Sequence, residues 1–217
     1  MPPKPKKTRE QVVEAAVEII RRNGPHALTA RALGAELGVA ASSVFTHFES
    51  MEAVDHAAME AIRDIYEEYA QRGLAMNPPF KGFGMEMLRF AEEEPRLFSA
   101  LLLTPDENGD VRSLADRGGS RERIISACAE TFGIGMDVAE ELYLFLWIYL
   151  CGMATLQATG ARSFSEEERS THLGNACRGF LMALLAGEDD RITLRPQKGQ
   201  MIGGSVESYL KREERTK

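Results

Sequence analysis

Apolar residues recur at three- and four-residue spacing along almost the whole chain, and no convincing run alternates with the period of two that strands need. That pattern confines the chain to an all-α fold. The first stripe, Val12, Val13, Ala16, Ile19 and Ile20, follows Thr8-Arg9-Glu10-Gln11, a capping box in which threonine and glutamine satisfy orphan amides reciprocally. Asn23-Gly24-Pro25 should stop this helix, glycine by taking a left-handed conformation and proline by failing to continue it. A second helix is expected from its cap Thr29 to Leu37, and a third from about Ala40 to Phe48. Ser50 caps a long fourth helix, about 51–76, whose buried stripe is Val54, Ala58, Ala61, Ile62, Ile65 and Tyr69. Gly73 to Pro79 breaks the pattern.

Beyond Pro79 the spacing predicts helices at about 80–94, 95–103, 120–132, 137–159 and 165–186. Thr104 to Gly119, with Pro105, Asn108, Gly109, Gly118 and Gly119, reads as a loop. Ser165-Glu166-Glu167-Glu168 repeats the capping box ahead of the stripe Leu173, Ala176, Cys177, Phe180, Leu181, Leu184 and Leu185. The 20 residues Leu142 to Ala161 carry no formal charge, a length that would span a membrane. The apolar part is concentrated in Leu142–Leu150 and basic flanks are poor, so a buried core helix is expected and no membrane partner. Gly187 to Gly204 is polar and loop-like, and Ser205 to Arg215 has the composition of one more helix.

Length and composition narrow the class of function. With 217 residues, 44% of them hydrophobic, the chain can bury a core and is not intrinsically disordered. Three cysteines, Cys128, Cys151 and Cys177, cannot make a disulfide framework, and their apolar neighbours suit a reducing, cytoplasmic setting. The start, Met1 to Lys7, has no apolar segment of the secretory kind. His26, His47, His56 and His172 share no pattern, and no phosphate loop, metal spacing or nucleophile elbow is present, so neither an enzyme, a cofactor nor a metal is expected. The net charge of −7 argues against a polyanionic partner until it is resolved along the chain. Residues 1–48 hold seven basic and four acidic side chains, or +3, and the remaining 19 basic and 29 acidic give −10. An end that meets a polyanion and a body that does not are the simplest division.

Residues 29–48 specify that end more closely. Two short helices crossing steeply need a small residue midway along the first, which Gly34 supplies, and a turn residue tolerant of positive φ, which is Gly38. Leu33, Leu37, Val39 and Val44 flank these points and fill a small core. Ala41, Ser42, Ser43, Thr46 and His47 should then form the outer edge, where small and hydroxyl side chains can approach bases or phosphates. Val44 and Phe48 should point inward.

The stretch Thr8 to Val54 resembles the N-terminal domain of the tetracycline-repressor (TetR) family of bacterial transcription regulators. The matching residues are Ala15-Ala16, Gly24, Leu28-Thr29-Ala30-Arg31, Leu33, Gly38-Val39, Val44-Phe45-Thr46-His47-Phe48, Glu52 and Val54. Phe90-Ala91, Pro95 and Leu97-Phe98 are similar to the regulatory domain of many members, and Trp147 with Cys151-Gly152 resembles a subgroup pattern that usually has histidine before that glycine. The resemblance implies a three-helix helix-turn-helix domain (residues 8–54) behind a flexible basic arm (1–7). It also implies a larger helical ligand-binding and dimerisation domain (77–186) and leaves a polar extension (187–217). It implies DNA contacts from Lys6, Lys7, Thr29, Arg31, Ala41, Ser42, Ser43, Phe45, Thr46 and His47. Three departures weaken individual contacts: Phe45 replaces a usual tyrosine, Met51 a usual lysine and Ala40 a usual serine cap.

In the body, Met87, Phe90, Phe98, Phe132, Tyr143, Trp147 and Cys151, with Met153, are candidates for lining an apolar cavity. The resemblance implies that the last two long helices form a four-helix dimer interface, for which Leu173, Cys177, Phe180, Leu181 and Leu184 are the candidates. The expected function is a homodimeric regulator, a repressor of a palindromic double-stranded operator, released by a small apolar effector. The alternative is a redox sensor working through the three cysteines.

Overall fold

The computed structural model describes residues 7–103 and 120–186, and the expected arm residues 1–6, the loop Thr104–Gly119 and the extension 187–217 lie outside the described residues. Described residues form helices α1 (Arg9–Asn23), α2 (Ala30–Leu37), α3 (Met51–Leu74), α4 (Pro79–Glu93), α5 (Pro95–Leu102), α6 (Ser120–Phe132), α7 (Met136–Ala158) and α8 (Glu166–Ala186), with no strand among them. Short 3₁₀ segments lie at Pro25–Ala27 and Ala41–Thr46. Residues up to Leu184 form one compact unit; of the second, which begins at Leu185, only the end of α8 is described.

The helix starts follow from their caps. Thr8 accepts from the Gln11 amide while Gln11 reaches back to the Thr8 amide at 3.1 Å, and Ser165 and Glu168 repeat the exchange at 3.2 and 2.8 Å. Thr29 and Ser50 cap α2 and α3 by accepting from Ala32 and Ala53. Gly24, at φ +85°, ends α1, and Gly38, at φ +67°, ends α2 in the left-handed conformation.

Three expectations are corrected. The third helix is not α-helical from Ala40 to Phe48 but a 3₁₀ segment at Ala41–Thr46, with no side-chain cap at Ala40. Its serines and β-branched Val44 and Thr46 have weak α-propensity, and a short uncapped run accepts the tighter winding. The fourth helix ends at Leu74, and its buried stripe also takes in Ala57, Met59, Tyr66 and Ala70, while Ala61 and Ile65 are only half-buried. Helix α7 is not buried all round: Leu142, Tyr143, Leu146, Leu150 and Met153 face the core, but Leu144, Phe145, Ile148 and Leu156 are exposed.

Helix α3 carries the chain from the N-terminal bundle into the body, packing on α1 at one end and on α4 along its length. Close approach of α3 and α4 depends on two glycines: a Cβ on Gly73 would stand 2.6 Å from the Phe83 Cα, and one on Gly82 2.2 Å from the Gly73 carbonyl oxygen. Phe90, Phe98, Leu97, Leu88 and Ile62 are fully buried where α3, α4 and α5 meet. Removing that much apolar surface from water is the main stabilising contribution. Glu86, also buried, is held by Arg72 at 3.0 Å and Arg89 at 2.6 Å, so its charge is compensated on two sides.

Candidate nucleic-acid interface and body cavity

The N-terminal bundle presents one edge outward. Val44 and Phe48 are buried in the core, and this fixes the rotation of the segment between them, which packs on α2. Ser42, Ser43, Phe45, Thr46 and His47 consequently stand exposed, with Ala41 half-buried behind them. The close seat of this segment on α2 depends on Gly34, where a Cβ would lie 2.9 Å from the Ala41 amide nitrogen and 3.0 Å from the Val39 carbonyl oxygen. Thr29 and Arg31 are exposed at the start of α2. Thr29 already spends its oxygen on the Ala32 amide, at 3.1 Å. Lys7 is tied to the edge, because the His47 Nε2–H donates to its carbonyl oxygen at 2.8 Å. Lys6 lies outside the described residues.

Four contacts here were missed from sequence. Arg9 stacks over the Phe48 ring at 5.1 Å, so part of the basic start is packed onto the bundle core. Arg21 and Arg22, counted in the +3 of the first 48 residues, are engaged by acids. Arg21 pairs with Glu18 and with Glu94 at 2.9 Å, and Arg22 with Glu36 at 2.6 Å. Burial disfavours the charge on Arg21, but hydrogen bonding and attraction from Glu94 and Glu18 outweigh it and hold its pKa above the ordinary value. Among the described residues of the bundle, Lys7, Arg9 and Arg31 stand outside these ion pairs.

The body encloses a cavity of about 290 Å³ between α4, α6, α7 and α8. Of the residues expected to line it, Phe132, Tyr143 and Trp147 do so. Met87, Phe90 and Phe98 are instead packed into the α3–α4–α5 core, and Cys151 is half-buried outside the lining. Phe80 and Phe83 complete the aromatic wall, and Phe83 and Tyr143 both stack on Trp147, at 6.5 and 6.1 Å. The signal for Phe80 and Phe83 was their place just after the Pro78-Pro79 break, which opens α4 at the cavity mouth. Leu173 and Cys177, expected at a dimer interface, face this cavity. Phe180 stacks on Phe145 at 5.4 Å, and Leu181 and Leu184 are half-buried against the core. Among the described residues no cluster could hold a metal ion.

Comparison with known proteins agrees with this geometry. Residues 12–58 match the family described as bacterial regulatory proteins, tetR family. An uncharacterized HTH-type transcriptional regulator of Mycobacterium tuberculosis (strain ATCC 25618 / H37Rv), Rv0681, is 27% identical over 158 residues, covering 71% of this chain and 72% of that protein. The fold is similar to that of a transcriptional regulator from Rhodococcus sp. Rha1, at TM-score 0.57 and 16% identity over 82% of this chain and 97% of that one. The Streptomyces coelicolor TetR SCO7222 superposes at TM-score 0.52 and 21% identity, over 83% of this chain and 95% of that one. Its N-terminal helix-turn-helix, residues 12–58, is thus a domain of the tetR family of bacterial regulatory proteins, and the chain resembles DNA-binding transcriptional regulators.

Proposed function

We propose that the protein is a cytoplasmic homodimer that represses transcription from a palindromic operator and leaves it when a small, largely apolar effector enters the body cavity. Residues 8–54 act as the reading head, 77–186 as the regulatory and dimerising body, and α3 couples them. The edge Ser42, Ser43, Phe45, Thr46 and His47 reads the major groove, while Thr29, Arg31 and the arm lysines Lys6 and Lys7 hold phosphates.

The observation that carries this reading is that α7 and α8 are both a cavity wall and an unpartnered apolar face. Leu144, Phe145, Ile148 and Leu156 on α7 and Met182 on α8 are exposed large apolar side chains, while Leu146, Trp147, Leu173 and Cys177 on the same helices line the cavity. A second copy seated on that face would bury it, and a ligand behind it would bear on the helices that set the spacing of the two heads. By linkage, the effector then binds DNA-free protein more tightly than DNA-bound protein. Helix α7 is long and apolar enough to cross a membrane, but its inner face is packed into the body, which supports an interface between copies instead.

Thiol chemistry gives the redox alternative little support. Burial pushes the Cys128 and Cys151 thiols up to about 12, far from the thiolate form that peroxide attacks. The deciding experiment selects bound duplexes from a randomised pool and footprints the winner. A dyad-symmetric site whose affinity falls with salt, and falls further in an Arg31, Thr46 and His47 triple alanine variant, is expected. An asymmetric site bound by a monomer would overturn the proposal.

A further inference from the structure

The effector cavity is apolar in its walls but not neutral at its rim. Its lining contains two ionisable cations, Lys81 from α4 and Arg178 from α8, and no carboxylate. Both are exposed, and among the described residues neither forms an ion pair. Arg178 donates to the neutral Asn175 side chain at 2.6 Å, which orients the guanidinium without cancelling its charge. Five body arginines (Arg72, Arg89, Arg121, Arg162 and Arg169) are each matched to a glutamate, whereas the two rim cations are not. The positive potential also reaches inward, because Arg178 favours the ionised form of the Cys177 thiol against the larger opposing effect of burial.

Resting on the effector reading above, we propose that the cavity takes an amphipathic organic anion. Its one- or two-ring or short alkyl body sits against Phe80, Phe83, Phe132 and Trp147, and its acidic head lies at the rim between Lys81 and Arg178. A neutral molecule of the same shape would gain the same apolar burial but leave the two cations with water. A cationic one would be repelled from both. The rim charges are in partial contact with solvent, so they add selectivity more than raw affinity, and salt weakens them. The volume of about 290 Å³ lies at the small end of ligand sites, which excludes large polycyclic effectors.

The test uses the full-length protein and the fluorescence of Trp147, the sole tryptophan, which reports on the cavity wall directly. Three probes share one body and differ in the head: 4-phenylbutyrate, 4-phenylbutanol and 4-phenylbutylamine, with octanoate, octanol and octylamine as a second set. The acid is expected to bind about tenfold more tightly than the alcohol in low salt, and the amine most weakly. In the variant Lys81→Gln/Arg178→Gln the acid and alcohol should bind alike, whereas Lys81→Arg/Arg178→Lys should keep the preference. Equal binding of acid, alcohol and amine, or a preference that survives Lys81→Gln/Arg178→Gln, overturns the anion inference and leaves the cavity as an apolar effector site. No response of Trp147 to any of the six probes at millimolar concentration overturns the effector reading itself, and this inference with it.

Discussion

Arg21 in α1 donates through its Nε to both carboxylate oxygens of Glu94, at 3.1 and 2.9 Å, and so fastens the DNA-reading bundle to the start of α5. The pair is only partly exposed, at 32% and 18% of each side chain, which shields it from the screening that cancels most surface pairs. Arg21→Gln and Glu94→Gln are each expected to lower stability by about 1 kcal/mol, less than additively when combined. A double-mutant cycle in urea checks the coupling, and strict additivity would show that the two ends are not linked through this pair.

The helix-turn-helix is intolerant at Gly34. A methyl group there would meet the backbone of Ala41 at 2.9 Å, and backbone cannot rotate away as a side chain can. Gly34→Ala should cost about 1–3 kcal/mol and displace the DNA-reading segment. Thermal unfolding and operator affinity measure the two effects, and full affinity in the variant would mean that the segment sits further from α2 than described.

Ile148 is the most exposed large apolar side chain on α7, at 62%. If a second copy covers it, Ile148→Glu should give a folded monomer by sedimentation and lower operator affinity by at least about tenfold. A dimer that persists in this variant would place the interface elsewhere.

The carboxylates at helix starts set the acid limit. Glu10 is held below the usual carboxylate range by its own backbone amide and by Thr8, Glu52 by Ser50, and Glu168 by the Ser165 amide and hydroxyl. A depressed folded-state pKa gives stability that is complete above the unfolded value, about 4.3, and is lost as pH falls through the folded value. The variant Glu10→Gln/Glu52→Gln/Glu168→Gln should therefore show a shallower loss of stability below about pH 4.3 in urea unfolding. An unchanged slope would assign acid unfolding to other groups.

Native Cys128 and Cys151 should resist alkylation by iodoacetamide at neutral pH, since burial has raised both to about 12. Mass spectrometry of the labelled protein follows each site. Rapid modification before unfolding would restore the case for redox sensing.

Most of the fold was legible because it rests on local signals. Thr8, Thr29, Ser50 and Ser165 announce their helices by capping, and the observed starts agree with them to within a residue. The exposure of Ser42, Ser43, Phe45, Thr46 and His47 was legible too, since Val44 and Phe48 beside them are buried. What sequence could not rank was apolar residues against one another. Phe90 and Phe98 carry the same chemistry as Phe80 and Phe83, and only the crossing of α3 on α4 decides which pair fills the core and which borders the cavity. Nor could spacing reveal that Arg21 and Arg22 spend their charge on Glu94 and Glu36, residues 73 and 14 positions away.

The 3₁₀ winding of Ala41–Thr46 changes the geometry of what can be read. With about three residues per turn, side chains three apart eclipse instead of fanning out. Ser42 then stands in line with Phe45, and Ser43 in line with Thr46, as two parallel columns. At about 2.0 Å of rise per residue against 1.5 Å, each column is also more stretched along the groove than an α-helical turn would be. Under the proposed DNA-reading role, recognition by such a blade would couple its positions pairwise: a change at Ser42 should shift the preference set at Phe45, and operator preferences at neighbouring steps should move together instead of one at a time.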